Sequence, residues 1–182
     1  MLYQDTGRRT TVSEVPNEFD VQKQFVLEAS KRGNHRTFVY YGEHFWMLFV
    51  NEPFTEIQDP VFLGHNKRHF VSKTLSSDAV DSEVWREARR SYTESLCVVT
   101  MAEVYTLVLS QRHGQEGFLL TDYKNNIFFV RDLTGQVRIV HVRYSKKYKG
   151  WGISGWYVEK NQYNLDELGW MPNRSQFIFR SR

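Results

Sequence analysis

FLLTDYKNNIFFVRDLTGQVRIVHVRYSKKYKGWGISGWYVEK, residues 118–160, is a succession of short apolar runs parted by turn residues. Its period is two, which is the period of a strand whose side chains alternate between two faces. The runs predict strands over 118–123, 127–131, 136–144 and 151–159, with turns at Lys124-Asn125-Asn126, Leu133-Thr134-Gly135 and Tyr148-Lys149-Gly150. A further strand is expected at 177–180. Connections this short make consecutive strands antiparallel neighbours. Within 136–144 the apolar set changes phase, from Val137 and Ile139 to Val140, Val142 and Tyr144, and a β-bulge would produce such a switch. A bent meander of about five strands tends to curl, so the expected architecture is α+β with a C-terminal meander closing toward a small, SH3-like barrel.

Working outward, the period lengthens. Val21, Phe25 and Ala29 recur every four residues within 19–32, and Gly33-Asn34 stops that helix. Val84, Trp85, Ala88 and Tyr92 give a second helix over 81–92, with Asp78 or Asp81 as its cap. Thr100 and Glu103 form a capping box that opens a third over 100–112. Two strands around Gly42-Glu43, one at 37–41 and one at 44–50 that is apolar on both faces over 45–50, read as an N-terminal hairpin, and Val61-Phe62-Leu63 as a weaker strand. One domain of 182 residues is expected, with an α/β part over 1–94 and a β-rich part over 95–182.

Charge is distributed unevenly. Residues 118–160 hold eight Lys and Arg against three Asp and Glu, a net of +5, although the whole chain is only +3. The loop after the strand at 136–144 mixes cations with rings, so Arg138, Arg143, Tyr144, Lys146, Lys147, Tyr148, Lys149 and Trp151 are the candidate anion-binding residues. Single-stranded nucleic acid demands this combination, cations for the phosphates and flat side chains on which bases stack. The plainer reading has the lysines keeping a sheet edge soluble and the rings filling the core. An acidic protein surface is the other partner of the same chemistry. Trp46, Phe49 and Phe54, beside Pro53, form a candidate protein interface, and with the apolar strand 44–50 they suggest a homo-oligomer or a structural subunit.

Other chemistry is thinly supported. His65 and His69 have helical metal spacing in a segment that carries Gly64 and Asn66, and no third ligand is near, so no metal is expected. Cys97, the one cysteine, lies among Leu96, Val98 and Val99, the setting of an inert buried thiol, with His113 or His141 as the base it would need. No phosphate-cradling glycine loop or nucleophile elbow is present, so neither cofactor nor catalytic residue is assigned. With a single cysteine, no apolar leader in residues 1–11 and no apolar run of bilayer length, a soluble cytoplasmic chain with no membrane partner is expected.

Thr100-Met101-Ala102-Glu103-Val104-Tyr105, Asn126-Ile127-Phe128-Phe129-Val130-Arg131-Asp132 and Gln176-Phe177-Ile178-Phe179-Arg180 carry a resemblance. Over residues 95–182 the chain resembles a group of short uncharacterised proteins from candidate-phyla bacteria, which share a Met-x-Glu-Val-Tyr helix opening, an Asn-Ile-Phe-x-Val-x-Asp strand and a Trp-bearing strand. Tyr163 to Ser175 is an insertion relative to that pattern, and the first 90 residues have no counterpart in it. The resemblance implies a β-meander and no site.

Overall fold

The computed structural model describes residues 3–30, 36–42, 44–50, 67–158, 170–171 and 174–181, less the side chains of Tyr3, Glu18, Phe19, Trp170 and Met171. The elements run β1 (Tyr3–Val12), α1 (Glu18–Ser30), β2 (Phe38–Tyr41), α2 (Phe45–Phe49), β3 (Arg68–Leu75), β4 (Ala79–Val80), α3 (Asp81–Ser91), α4 (Glu94–Cys97), β5 (Val98–Val99), α5 (Met101–Ser110), β6 (Asn126–Arg131), β7 (Val137–Ser145), β8 (Gly150–Tyr157), β9 (Trp170–Met171) and β10 (Gln176–Arg180). One open sheet has the order β1-β3-β10-β6-β7-β8-β2, with β5 also paired to β6. The meander β6-β7-β8 is antiparallel, as its short turns require, but it does not curl into a barrel. Strands from the two chain ends flank it instead: β10 lies parallel to β6, and β2 parallel to β8.

Both faces of this sheet are packed, and that explains the phase change in β7. Its register with β6 and with β8 runs without a break, so there is no bulge. Ile139 is buried in a cluster with Val84, Trp85 and Ala88 of α3, and Val137 packs against that cluster. Val140, Val142 and Tyr144 are buried on the opposite side, with Phe25 of α1, Phe45 of α2 and Tyr105 of α5. A strand with apolar partners on both faces carries no alternation to read. The same holds for β6, where Ile127 and Phe129 meet the α3 cluster while Phe128 and Val130 meet the other.

Two further expectations are corrected. Residues 45–49 form a helix rather than the second strand of a hairpin. Phe45, Leu48 and Phe49 are buried at i, i+3 and i+4 spacing, whereas Met47 is 60% exposed and Trp46 is only partly covered. Residues 118–123 are no strand either, because side-chain amides satisfy their backbone. Leu119 N–H donates to Gln111 Oε1 at 2.6 Å and Leu119 O accepts from Gln111 Nε2 at 3.1 Å. Leu120 N–H donates to Asn126 Oδ1 at 2.8 Å. With those groups paired, no ladder is needed to bury Leu119. The expected strand at 61–63 lies outside the described residues.

The capping box of α5 forms as its spacing implies. Thr100 N–H donates to Glu103 Oε2 at 2.7 Å, and Glu103 N–H to Thr100 Oγ1 at 3.1 Å. Glu103 also receives Arg180 of β10 at 2.9 and 2.6 Å, which ties the last strand to the first turn of α5. In α3 the capping residue is Val80, and Asp81 is already inside the first turn and buried.

Candidate anion-binding face of the sheet

Because β7 is packed on both sides near its start, the face presented by its end depends on how far α3 reaches. Ile139 lies under α3, and His141 Nε2 meets Asp81 Oδ1 at 3.3 Å where that helix begins. Two residues further on, Arg143 is exposed. Gly152 of β8 is its register partner, and Tyr40 of β2 is in turn the partner of Gly152. Arg143, Gly152 and Tyr40 therefore stand in a row across three strands on the α3 side of the sheet. The middle position has no side chain, which makes the row a shallow trough.

Arg36, Tyr40, Arg143, Ser145, Tyr148 and Gly152 line this groove, whose volume is about 680 Å³. Tyr40 and Tyr148 are each 62% exposed, a large area for rings of that size to leave open. The turn that joins β7 to β8 raises Tyr148 to this position. Ser145 Oγ accepts from Tyr148 N–H at 3.3 Å, and Lys149 takes the left-handed φ of 51° that closes the turn. Lys147 Nζ lies 5.1 Å from the centre of the Tyr148 ring, and Lys146 Nζ 5.9 Å from that of Tyr123. Lys146, Lys147 and Lys149 are exposed in the adjoining turn.

Three of the eight residues singled out from the sequence do not belong to this face. Tyr144 and Trp151 are register partners that point the other way, into the core, with ring centres 5.2 Å apart. Their polar tips are used up internally: Tyr144 Oη donates to His113 O at 2.8 Å, and Trp151 Nε1 to Gln111 O at 2.9 Å. These bonds hold the end of α5 against the sheet. Gly114, at φ +67°, is the residue that permits the fit, since a Cβ there would lie 2.1 Å from Tyr144 Cζ. Arg138, an odd number of residues from Arg143, is also on the opposite face. Its Nε donates to Asp132 Oδ2 at 2.6 Å and its guanidinium covers the Tyr157 ring at 4.4 Å. Burial raises the pKa of the Asp132 carboxyl, but hydrogen bonds from Thr134, Arg138 and Gln136 outweigh it and hold that carboxyl below its ordinary value. The charge of Arg138 is thus matched within the fold.

Tyr40 and Arg36 are the members that sequence reasoning missed. Both come from the N-terminal part of the chain and reach the meander only because β2 adds to β8 in parallel, a pairing that no local pattern signals.

The remaining candidates are placed elsewhere. Phe49 is 3% exposed and Trp46 packs against Tyr41 at 4.8 Å, so the apolar side chains of 45–49 are largely spent on the core. Phe54 lies outside the described residues. Cys97 is fully buried, donates its thiol to Ala88 O at 3.5 Å, and is pushed up to about 11 by burial and then by Glu94. His69 sits in the extended strand β3, where Nδ1 meets Thr11 Oγ1 at 2.9 Å, and His65 lies outside the described residues. Among the described residues, no three His, Cys, Asp or Glu are grouped as metal ligands, and no helix is long and apolar enough to cross a membrane.

No protein-family model matches this chain, and neither a curated protein nor a solved structure matches it.

Proposed function

We propose that this chain is a binding module for single-stranded nucleic acid, held across the ends of β7, β8 and β2. The observation that carries the reading is the pair of exposed rings, Tyr40 and Tyr148, lining one glycine-floored trough with Arg143 and Arg36. Bases stack on exposed rings without regard to sequence, each contributing roughly 1–3 kcal/mol, while the guanidinium groups and the ammonium groups of the adjoining turn meet the phosphates. An acidic protein surface would use the cations but gain little from the rings, so the geometry favours the nucleic acid.

Fluorescence anisotropy of a labelled oligothymidine across a salt series tests this. Binding is expected to weaken as salt rises, with a log–log slope of about −0.7 for each phosphate contact. A short duplex of the same length is expected to bind more weakly, because its bases are already stacked. Salt-independent binding, or none, would remove the reading.

A further inference from the structure

We infer a second binding site, independent of the trough, that takes a small phosphate monoester carrying an apolar group. It lies at the other end of the same sheet face, where β1, β3 and β10 extend beyond the C-terminal end of α3, in a groove of about 680 Å³. That volume suits a small organic ligand.

The groove is built by an irregularity in β1. Asp5 pairs with Lys73 and Arg9 with Val71, so four steps of β1 oppose two of β3 and the residues between bulge out of the ladder. Gly7 takes the positive φ of 65° that the bulge needs, and Asp5 Oδ1 accepts its N–H at 2.8 Å. Thr6 Oγ1 pins the bulge to β3 by donating to Ser72 O at 3.0 Å. Consecutive residues of an unbroken strand face opposite ways. Here Arg8 and Arg9 both border the same groove, and Arg90 borders it from the end of α3.

Among the described residues, the guanidinium groups of Arg8, Arg9 and Arg90 have neither hydrogen-bond nor ion-pair partners. Arg180, which also lines the groove, is already committed to Glu103 and contributes little. Asp5 is the one carboxylate of the lining, so the three guanidinium groups and Lys73 leave an excess of +3. A phosphate monoester carries about −1.5 to −2 near neutral pH, and guanidinium groups recognise its oxygens through paired hydrogen bonds. The rest of the wall is apolar. Val71, Leu96 and Phe179 line it, and the Tyr92 ring packs on Phe179 at 4.4 Å with Lys73 Nζ 5.0 Å from its centre. A ligand whose phosphate meets the arginines would lay its carbon portion on that wall, which inorganic phosphate cannot do.

Isothermal titration of the full chain with phenyl phosphate, inorganic phosphate and phenol tests the inference. Phenyl phosphate is expected to bind, inorganic phosphate to bind about tenfold more weakly, and phenol not to bind measurably. Arg90→Gln, and separately Arg8→Gln with Arg9→Gln, are expected to weaken phenyl phosphate by about tenfold to a hundredfold. Tyr148→Ala, in the trough, is expected to leave it unchanged, and that separates failure of this site from failure of the nucleic-acid reading. Should Arg90→Gln prove unstable, the exposed pair in β1 serves as the second variant. The inference is overturned if phenyl phosphate fails to bind at 10 mM, on the order of the weakest affinity worth assigning. It is equally overturned if neither set of arginine variants changes the affinity, or if phenol binds as well as its phosphate.

Discussion

Two tyrosines and one tryptophan separate open surface from framework at the residue scale. Tyr148 is exposed beside the trough, while Trp151, three residues later, is fully buried with its indole N–H given to Gln111 O. Tyr148→Ala is therefore expected to leave the melting temperature nearly unchanged and to weaken oligothymidine binding by roughly fivefold to a hundredfold, the equivalent of one lost stack. Trp151→Phe is expected to do the reverse, costing about 1–3 kcal/mol of stability through the lost indole hydrogen bond and the partly filled cavity, with little change in affinity measured where the variant is folded. Thermal melts and anisotropy titrations on the two proteins check both halves. Their opposite orientations were not legible beforehand, because period two says which residues share a face and not which face is open. In a strand packed on both sides, apolar content gives no further hint, and so Tyr144 and Trp151 look like neighbours of Tyr148 although they belong to the core.

Elements differ in how much of them a local pattern can specify. The α5 capping box is a four-residue signal, and Thr100 and Glu103 pair as it implies. Residues 45–49 lack such a signal, since a short apolar run suits a buried strand or a buried helical turn equally well. Tertiary packing decides between them: as a helix, α2 sends Phe45, Leu48 and Phe49 toward Phe25 and the β8 strand, and leaves Met47 outside. Leu48→Glu is accordingly expected to cost more than about 3 kcal/mol, while Met47→Glu is expected to stay within about 0.5 kcal/mol, as read from urea unfolding midpoints. A strand would place 45, 47 and 49 on one side and make the Met47 change the costly one. The irregular 118–123 segment escaped sequence reading for a different reason. Its hydrogen bonds are made by Gln111, Asn126 and Gln176, the last of them 58 positions from Phe118, so no local strand pattern includes them.

For the whole molecule, the decisive proportion is that of cover to sheet. Seven strands at about 4.8 Å spacing make a sheet roughly 30 Å wide, and a helix is about 10 Å across. On one face α1, α2 and α5 share the cover; on the other, α3 packs over the middle of the sheet. Both grooves border the ends of this second face, and each is lined by arginine and tyrosine side chains. The +5 segment supplies Arg143 and Tyr148 of the trough, whereas three of its eight candidate residues face the core or are ion-paired within the fold. Charge in sequence cannot separate cations matched by a carboxylate, such as Arg138 with Asp132, from those that are not. It was silent about the second groove, which draws Arg8 and Arg9 from an N-terminal segment, residues 1–117, whose net charge is −3.

The trough itself is the claim most open to direct observation. Amide chemical shifts of the isotopically labelled chain, followed while a short oligothymidine is added, would map where it lies. The account predicts perturbations concentrated at residues 39–40, 143–145 and 146–152, growing with saturation and reversed by salt. Shifts confined to other surfaces, or an unchanged spectrum at saturating oligonucleotide, would contradict it.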